Sequence, residues 1–202
     1  MTLNQWWEQS SPIYLQSRTG KPIKLFNIQW LSPINEIEKE LKKNGWKNVP
    51  KLTLASTINR ISSSDQAQRL PLTPKVFAGK KPVLFMYKQL KNPEALLVLQ
   101  LWRANIHLVR TKTPLWFGLI DYKLPQKHRL WKPDKYKELK KKLQPASLQA
   151  NHFLNEFAWR RVCFDESLRP KKIASSKQWH LGVLLLAPKN MALPSVQEST
   201  CS

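Results

Sequence analysis

The stretch Leu96–Tyr122, "LLVLQLWRANIHLVRTKTPLWFGLIDY", decides how the rest of the chain is read. From Leu96 to Trp102 every residue but Gln100 is apolar, a density that predicts a central strand covered on both faces. After "RTKT", the segment "PLWFGLIDY" resumes the apolar run, so the two halves read as a buried hairpin. Gly118 inside the second half predicts a bulge or a close backbone approach. Just upstream, "PVLFMYKQ" is a third strand, separated from the first by "LKNPE", a turn carrying Asn92 and Pro93.

Working outward, "KPIKLFNIQW" alternates weakly and suits a strand or extended entry ending at Trp30. "SPINEIEKELKKNGW" then reads as a helix with both ends marked. Ser32 is its expected N-cap and Pro33 its first helical residue. Ile34, Ile37 and Leu41 line one face, Gly45 supplies the left-handed residue after the last turn, and Trp46 folds back onto Leu41. "KLTLASTINRIS" is a shorter helical candidate with Leu54, Ile58 and Ile61 on one side. Residues 62–82 form an irregular connection in which Leu70, Leu72, Val76 and Phe77 require burial.

Further on, "PDKYKELKKKLQ" is a basic helix with Tyr136, Leu139 and Leu143 inward. "SLQANHFLNEFAW" is read as another helix, capped by Ser147 and burying Leu154, Phe157 and Ala158. "RRVCF" and "WHLGVLLLAP" are two closing strands. These elements alternate irregularly, which gives an α+β class: a mixed or antiparallel sheet covered by helices. One domain is expected over 1–188, with 189–202 a frayed tail.

Composition narrows function. The 202 residues carry 34 Lys and Arg against 13 Asp and Glu, a formal net charge of +21, which calls for an anionic partner. A hydrophobic fraction of 42% suffices for a core, and most of the nine tryptophans should lie in it. No apolar run reaches the ~18 residues of a membrane-spanning helix, and the start lacks the pattern of a signal peptide. Two cysteines, Cys163 and Cys201, are too few for a disulfide framework and favour a reducing compartment. Val162 and Phe164 beside Cys163 suggest a buried, inert thiol.

Chemistry-bearing patterns are scarce. His107, His128, His152 and His180 show no metal-ligand spacing, so no metal site is assigned. Asp121, Asp134, Asp165 and Glu166 are isolated carboxylates, and five glycines make no phosphate loop. No catalytic residue and no cofactor are assigned. The basic residues fall in blocks, and Lys127, Arg129, Lys132, Lys137, Lys140 and Lys141 are the candidate contact with an anionic surface, with Lys137, Lys140 and Lys141 on one helix face.

Several marks resemble the LssY C-terminal domain family: Gln29–Trp30 in "NIQW", Gly45–Trp46, "RLPLTP" at 69–74, Leu101–Trp102–Arg103 in "LQLWR", and Pro114, Trp116 and Gly118 in "PLWFG". The closing "WHLGVLLLA" looks similar to that family's terminal strand, so the resemblance runs from Ile13 to Pro188. It implies a domain that often follows multi-pass membrane modules of DedA or phosphatidic-acid-phosphatase type, with no established activity of its own. Gln100 departs from the arginine that the family favours there, and Arg103 is the residue that would take over its role. The membrane-phosphatase signature itself is absent: Arg169–Pro170 has Val162 in place of lysine, and Ser17–Arg18 has no histidine near.

The expectation is therefore a non-catalytic accessory or binding module, cytoplasmic and peripheral on the inner face of the cell membrane, whose partner is an anionic membrane surface or an acidic protein. A nucleic-acid binder is one alternative, and a hydrolase with a pocket near Trp102, Arg103 and Asp121 is another.

Overall fold

The structure, a computed structural model, describes residues 1–16, 19–50, 72–90, 95–106, 108–109, 112–123, 154–164 and 182–195. In chain order the elements are α1 (Leu3–Gln9), β1 (Tyr14–Gln16), β2 (Pro22–Leu25), β3 (Ile28–Leu31), α2 (Ile34–Lys43), β4 (Lys47–Asn48), β5 (Leu84–Leu90), β6 (Ala95–Arg103), β7 (Leu115–Lys123), β8 (Phe157–Val162) and β9 (Val183–Pro188). Seven strands form one mixed sheet in the order β4-β5-β6-β7-β3-β9-β8, and β1 pairs with β2 in a separate antiparallel ribbon. Among the described residues, two helices against this much sheet give an α+β fold dominated by strand.

The quoted stretch is the hairpin it was read as. β6 and β7 pair antiparallel from Leu96↔Lys123 to Arg103↔Trp116, and β6 is buried at every residue but Arg103. A strand with neighbours on both sides and packing on both faces needs apolar residues at successive positions, which is why the run does not alternate. Gly118 sits in unbroken register with no bulge. A Cβ there would come within 2.5 Å of Leu101 Cδ2 and 2.7 Å of Ile28 Cγ2, so the glycine marks a close approach of neighbouring side chains.

The pleat sorts residues between two cores. On one face Leu97, Leu99, Leu101, Trp116, Ile120, Ile28, Trp30, Leu184 and Leu186 pack under Ile37 and Leu41 of α2. On the other, Trp102, Leu115, Phe117, Leu119, Leu31, Val183 and Leu185 pack under Trp6 and Trp7 of α1 and Leu15 and Leu25 of the ribbon. Leu72, Tyr87, Leu96 and Val98 make a smaller third cluster. α1 was not foreseen, although its signature was present: Thr2 and Gln5 form a capping box, each side chain accepting from the other's backbone N–H.

α2 ends as read and begins differently. Gly45 takes φ +79°, its N–H donates to the Lys42 carbonyl, and the Trp46 N–H donates to the Leu41 carbonyl at 3.0 Å, the two bonds of a Schellman stop. At the start Pro33 occupies the cap position without a side-chain bond, and Ser32 is not the N-cap. The sheet claims Ser32 instead: its N–H donates to the Pro114 carbonyl, its own carbonyl accepts from Trp116 Nε1 at 2.7 Å, and its hydroxyl bonds Glu36.

Four more expectations change. Phe157–Trp159 belong to β8, not to a helix, because β9 offers them a partner strand from Phe157↔Pro188 to Val162↔Val183. Val76 is 51% exposed, while Leu72 is buried as required. Cys163 is neither buried nor a free thiol; it is half-buried and disulfide-bonded. Within the expected tail, Met191 and Leu193 pack against the second core. The helices read over 51–62 and 133–144 lie outside the described residues, as do residues 147–153 of the helix read over 147–159 and all four histidines.

Candidate functional site

On the α1 face, the apolar surface of the central strands is interrupted between the second and third clusters. β6 presents Val98, Gln100 and Trp102 there, and β7 presents Leu119 and Asp121. Since Val98 pairs with Asp121 and Gln100 with Leu119, Gln100 and Asp121 are diagonal neighbours on one face. Two cations converge on them from distant parts of the chain. Lys24 on β2 donates to Asp121 Oδ1, and Lys75 Nζ stands 3.5 Å from Oδ2. The Lys75 backbone N–H donates to Gln100 Oε1 at 2.7 Å. Asn27 seals the adjoining edge by bonding both the N–H and the carbonyl of Ile120 at 2.8 Å.

Burial by itself would raise the Asp121 carboxyl, but the positive charges of Lys24 and Lys75 and their hydrogen bonds outweigh it and hold the group below the usual carboxylate range. Burial lowers the Lys24 amine, with the Asp121 charge opposing and Lys75 adding to the effect. We assign the charged form to the cluster, because the carboxylate lies between two ammonium groups. Held this way, Asp121 is a clamp that fastens β2 and the 72–82 segment onto the sheet, not a free acid or base.

A second polar centre lies under α1. Gln29, 1% exposed, accepts from Trp6 Nε1 at 2.8 Å and from the Ser10 hydroxyl at 2.9 Å, while its amide donates to the Ser11 carbonyl. A buried amide satisfied on both sides is a fastening for α1.

The residues marked in the sequence fall mainly into scaffold. Trp30 pairs with Trp116, Ile28 and Leu101 both pair with Gly118, and Gly45–Trp46 close α2. Trp102 donates to the Lys80 carbonyl at 3.2 Å. Pro114, just before β7, accepts from the Ser32 N–H. Arg103 does not stand in for the arginine expected at Gln100; it is exposed at the end of β6, and Gln100 makes its own bond to Lys75. Nor do Arg103 and Asp121 converge. Asp121 pairs with Val98, five residues from Arg103, which is about 17 Å at ~3.3 Å per residue, and the pleat sends their side chains to opposite faces. Among the described residues no group of three or more His, Cys, Asp or Glu could hold a metal ion. Lys127, Arg129, Lys132, Lys137, Lys140 and Lys141 lie outside the described residues. Lys24 and Lys75 were missed; nothing in "PIKLF" or "LTPKVF" points to Asp121.

The profile of the LssY C-terminus family matches residues 8–125, more than half of the chain. The chain belongs to the LssY C-terminus family. None of the curated proteins and none of the solved structures matches it. The LssY C-terminus span takes in β1–β7, Asp121 and the motif residues from Gln29 to Gly118, whereas β8, β9 and the closing "WHLGVLLLA", to which the resemblance extends, lie beyond it. In this chain that span contains the packed hairpin, the stopped helix and the Asp121 ion clamp. No helix among the described residues is long and apolar enough to cross a membrane.

Proposed function

We propose that this LssY C-terminus domain is a non-catalytic binding module that attaches to an anionic membrane surface through its cationic exterior. The observation that carries the reading is the excess charge of +21, set beside the lysine pairing of four of the six described carboxylates. Glu38 faces Lys42, Glu40 and Glu156 face Lys43, and Asp121 faces Lys24 and Lys75. Lys39, Lys47, Lys80, Lys81, Lys112, Lys123 and Lys189 stay exposed, and a surface of that kind draws in acidic headgroups. Six tryptophans, Trp6, Trp7, Trp30, Trp46, Trp102 and Trp116, are buried, which favours scaffold over a base-stacking platform. The Lys127–Lys142 block is part of the same proposal. The cytoplasmic side fits poorly with the disulfide at Cys163, since such bonds persist mainly in oxidising compartments.

Co-sedimentation with vesicles tests the reading. Vesicles containing phosphatidylglycerol should pellet the protein at low salt and release it as salt rises, while pure phosphatidylcholine should not. Equal pelleting with both lipids would count against it.

A further inference from the structure

Exposed apolar side chains are ordinary when scattered, so their distribution is what informs. Among the described residues seven large apolar side chains are well exposed: Met1, Ile23, Val76, Val83, Ile106, Val109 and Trp159. Four of them, Val76, Val83, Ile106 and Val109, lie on just two connections, 72–83 before β5 and 104–114 between β6 and β7. The register brings these connections together. Leu84 pairs with Leu101, the Val83 N–H donates to the Leu101 carbonyl, and Arg103 closes β6 opposite Trp116, so both emerge at one end of the sheet.

Each connection is braced from within. Phe77 and Lys80 face each other across a two-residue turn in which Ala78 and Gly79 take φ +47° and +75°. Phe77 packs edge-on against Phe26 and Trp102, and Trp102 Nε1 holds the Lys80 carbonyl. In the other connection Leu108 is buried in the second core, and the Val109 N–H donates to the Met1 carbonyl. Phe77 and Leu108 thus turn inward while Val76, Val83, Ile106 and Val109 stay out. Around them stand Lys80, Lys81, Arg103 and Lys112, all exposed, and the sequence from Ala95 to Ile120 contains no acidic residue, nor does 72–83.

We propose that this end of the sheet is the part of the module that enters the bilayer interface: Val83, Ile106 and Val109 sink between headgroups while Lys80, Lys81, Arg103 and Lys112 bind lipid phosphates. Apolar tips ringed by cations match an anionic bilayer, where one group needs the acyl boundary and the other the phosphate layer. The proposal rests on the reading above and adds the orientation of docking.

The test uses the full chain with vesicles of phosphatidylglycerol and phosphatidylcholine. The double variant Val83→Asp/Val109→Asp changes two residues that are 59% and 55% exposed, so its thermal unfolding should match the wild type. Its binding to anionic vesicles should fall at least tenfold. Lys80→Glu/Lys81→Glu should weaken binding by a similar factor, Lys80→Arg/Lys81→Arg should retain it, and Lys39→Glu/Lys47→Glu, the same charge change on α2 and β4, should cost much less. If the wild type binds anionic vesicles and the valine variant binds equally well, or if the two charge reversals are equivalent, the docking end is wrong and the surface-binding reading stands. If the wild type ignores anionic vesicles, or binds an oligonucleotide in preference with the valine variant unaffected, both fall.

Discussion

Gly118 illustrates how one missing methyl group fixes the distance between neighbouring strands. Leu101 Cδ2 and Ile28 Cγ2 occupy the space a Cβ would need, and both belong to buried residues that have nowhere to retreat. Overpacking a filled core costs about 1–3 kcal/mol. Gly118→Ala should therefore lower the urea midpoint by a corresponding amount, and a variant as stable as the wild type would show that β3 and β6 yield. Cys163 is the other position with a consequence of its own. Because it is disulfide-bonded, protein alkylated at the moment of cell lysis should show no label on Cys163 until a reductant is added. Immediate labelling would return the chain to a reducing compartment.

Among the elements, α2 depends on a partner outside itself. Its last turn carries Lys42 and Lys43, yet the carbonyl of its cap residue Asn44 accepts from Lys88 Nζ on β5. Burial lowers the Lys88 amine, but a cation at a helix C-terminus meets the negative end of the dipole. Lys88→Met keeps the length and removes the donor, so it should cost about 1 kcal/mol in chemical denaturation. An unchanged midpoint would mean that the Gly45 stop holds the helix end alone. That stop was legible because it is local: the period of Ile34, Ile37 and Leu41 and the glycine after the last turn sit within one stretch. The helix start was not, because Ser32 had a local reason to cap and a distant reason, the β3–β7 ladder, to pair; the ladder satisfies more of its backbone. Phe157–Trp159 failed in the same way, taken from a helical pattern by β9.

Across the whole molecule, the Asp121 clamp joins β2, the 72–82 segment and β7, so its titration reaches the global stability. With its folded-state value held below the unfolded one, Asp121 contributes stability that is fully present above about pH 3.9 and is lost as pH falls through the folded value. Asp121→Asn should accordingly flatten the acid limb of stability against pH. At neutral pH it should cost about 2–3 kcal/mol, less than a fully buried pair, since both side chains keep 18% exposure. Unfolding curves at pH 3 and pH 7 measure both, and a variant with the wild-type acid slope would show that another carboxylate governs it.

The central hairpin, the α+β class, the stopped helix and the cationic excess were determined by the sequence itself, because each rests on neighbours within a few positions or on composition alone. The tertiary structure decided the rest. β9 inserts parallel to β3 and brings β8 with it. Asp121 meets Lys24 and Lys75 from 97 and 46 residues away, and the exposed valines gather because two separate connections emerge at the same end of the sheet. Long-range pairing leaves no local periodicity to read; it is chosen by which arrangement buries the most apolar surface while leaving few polar groups without a partner.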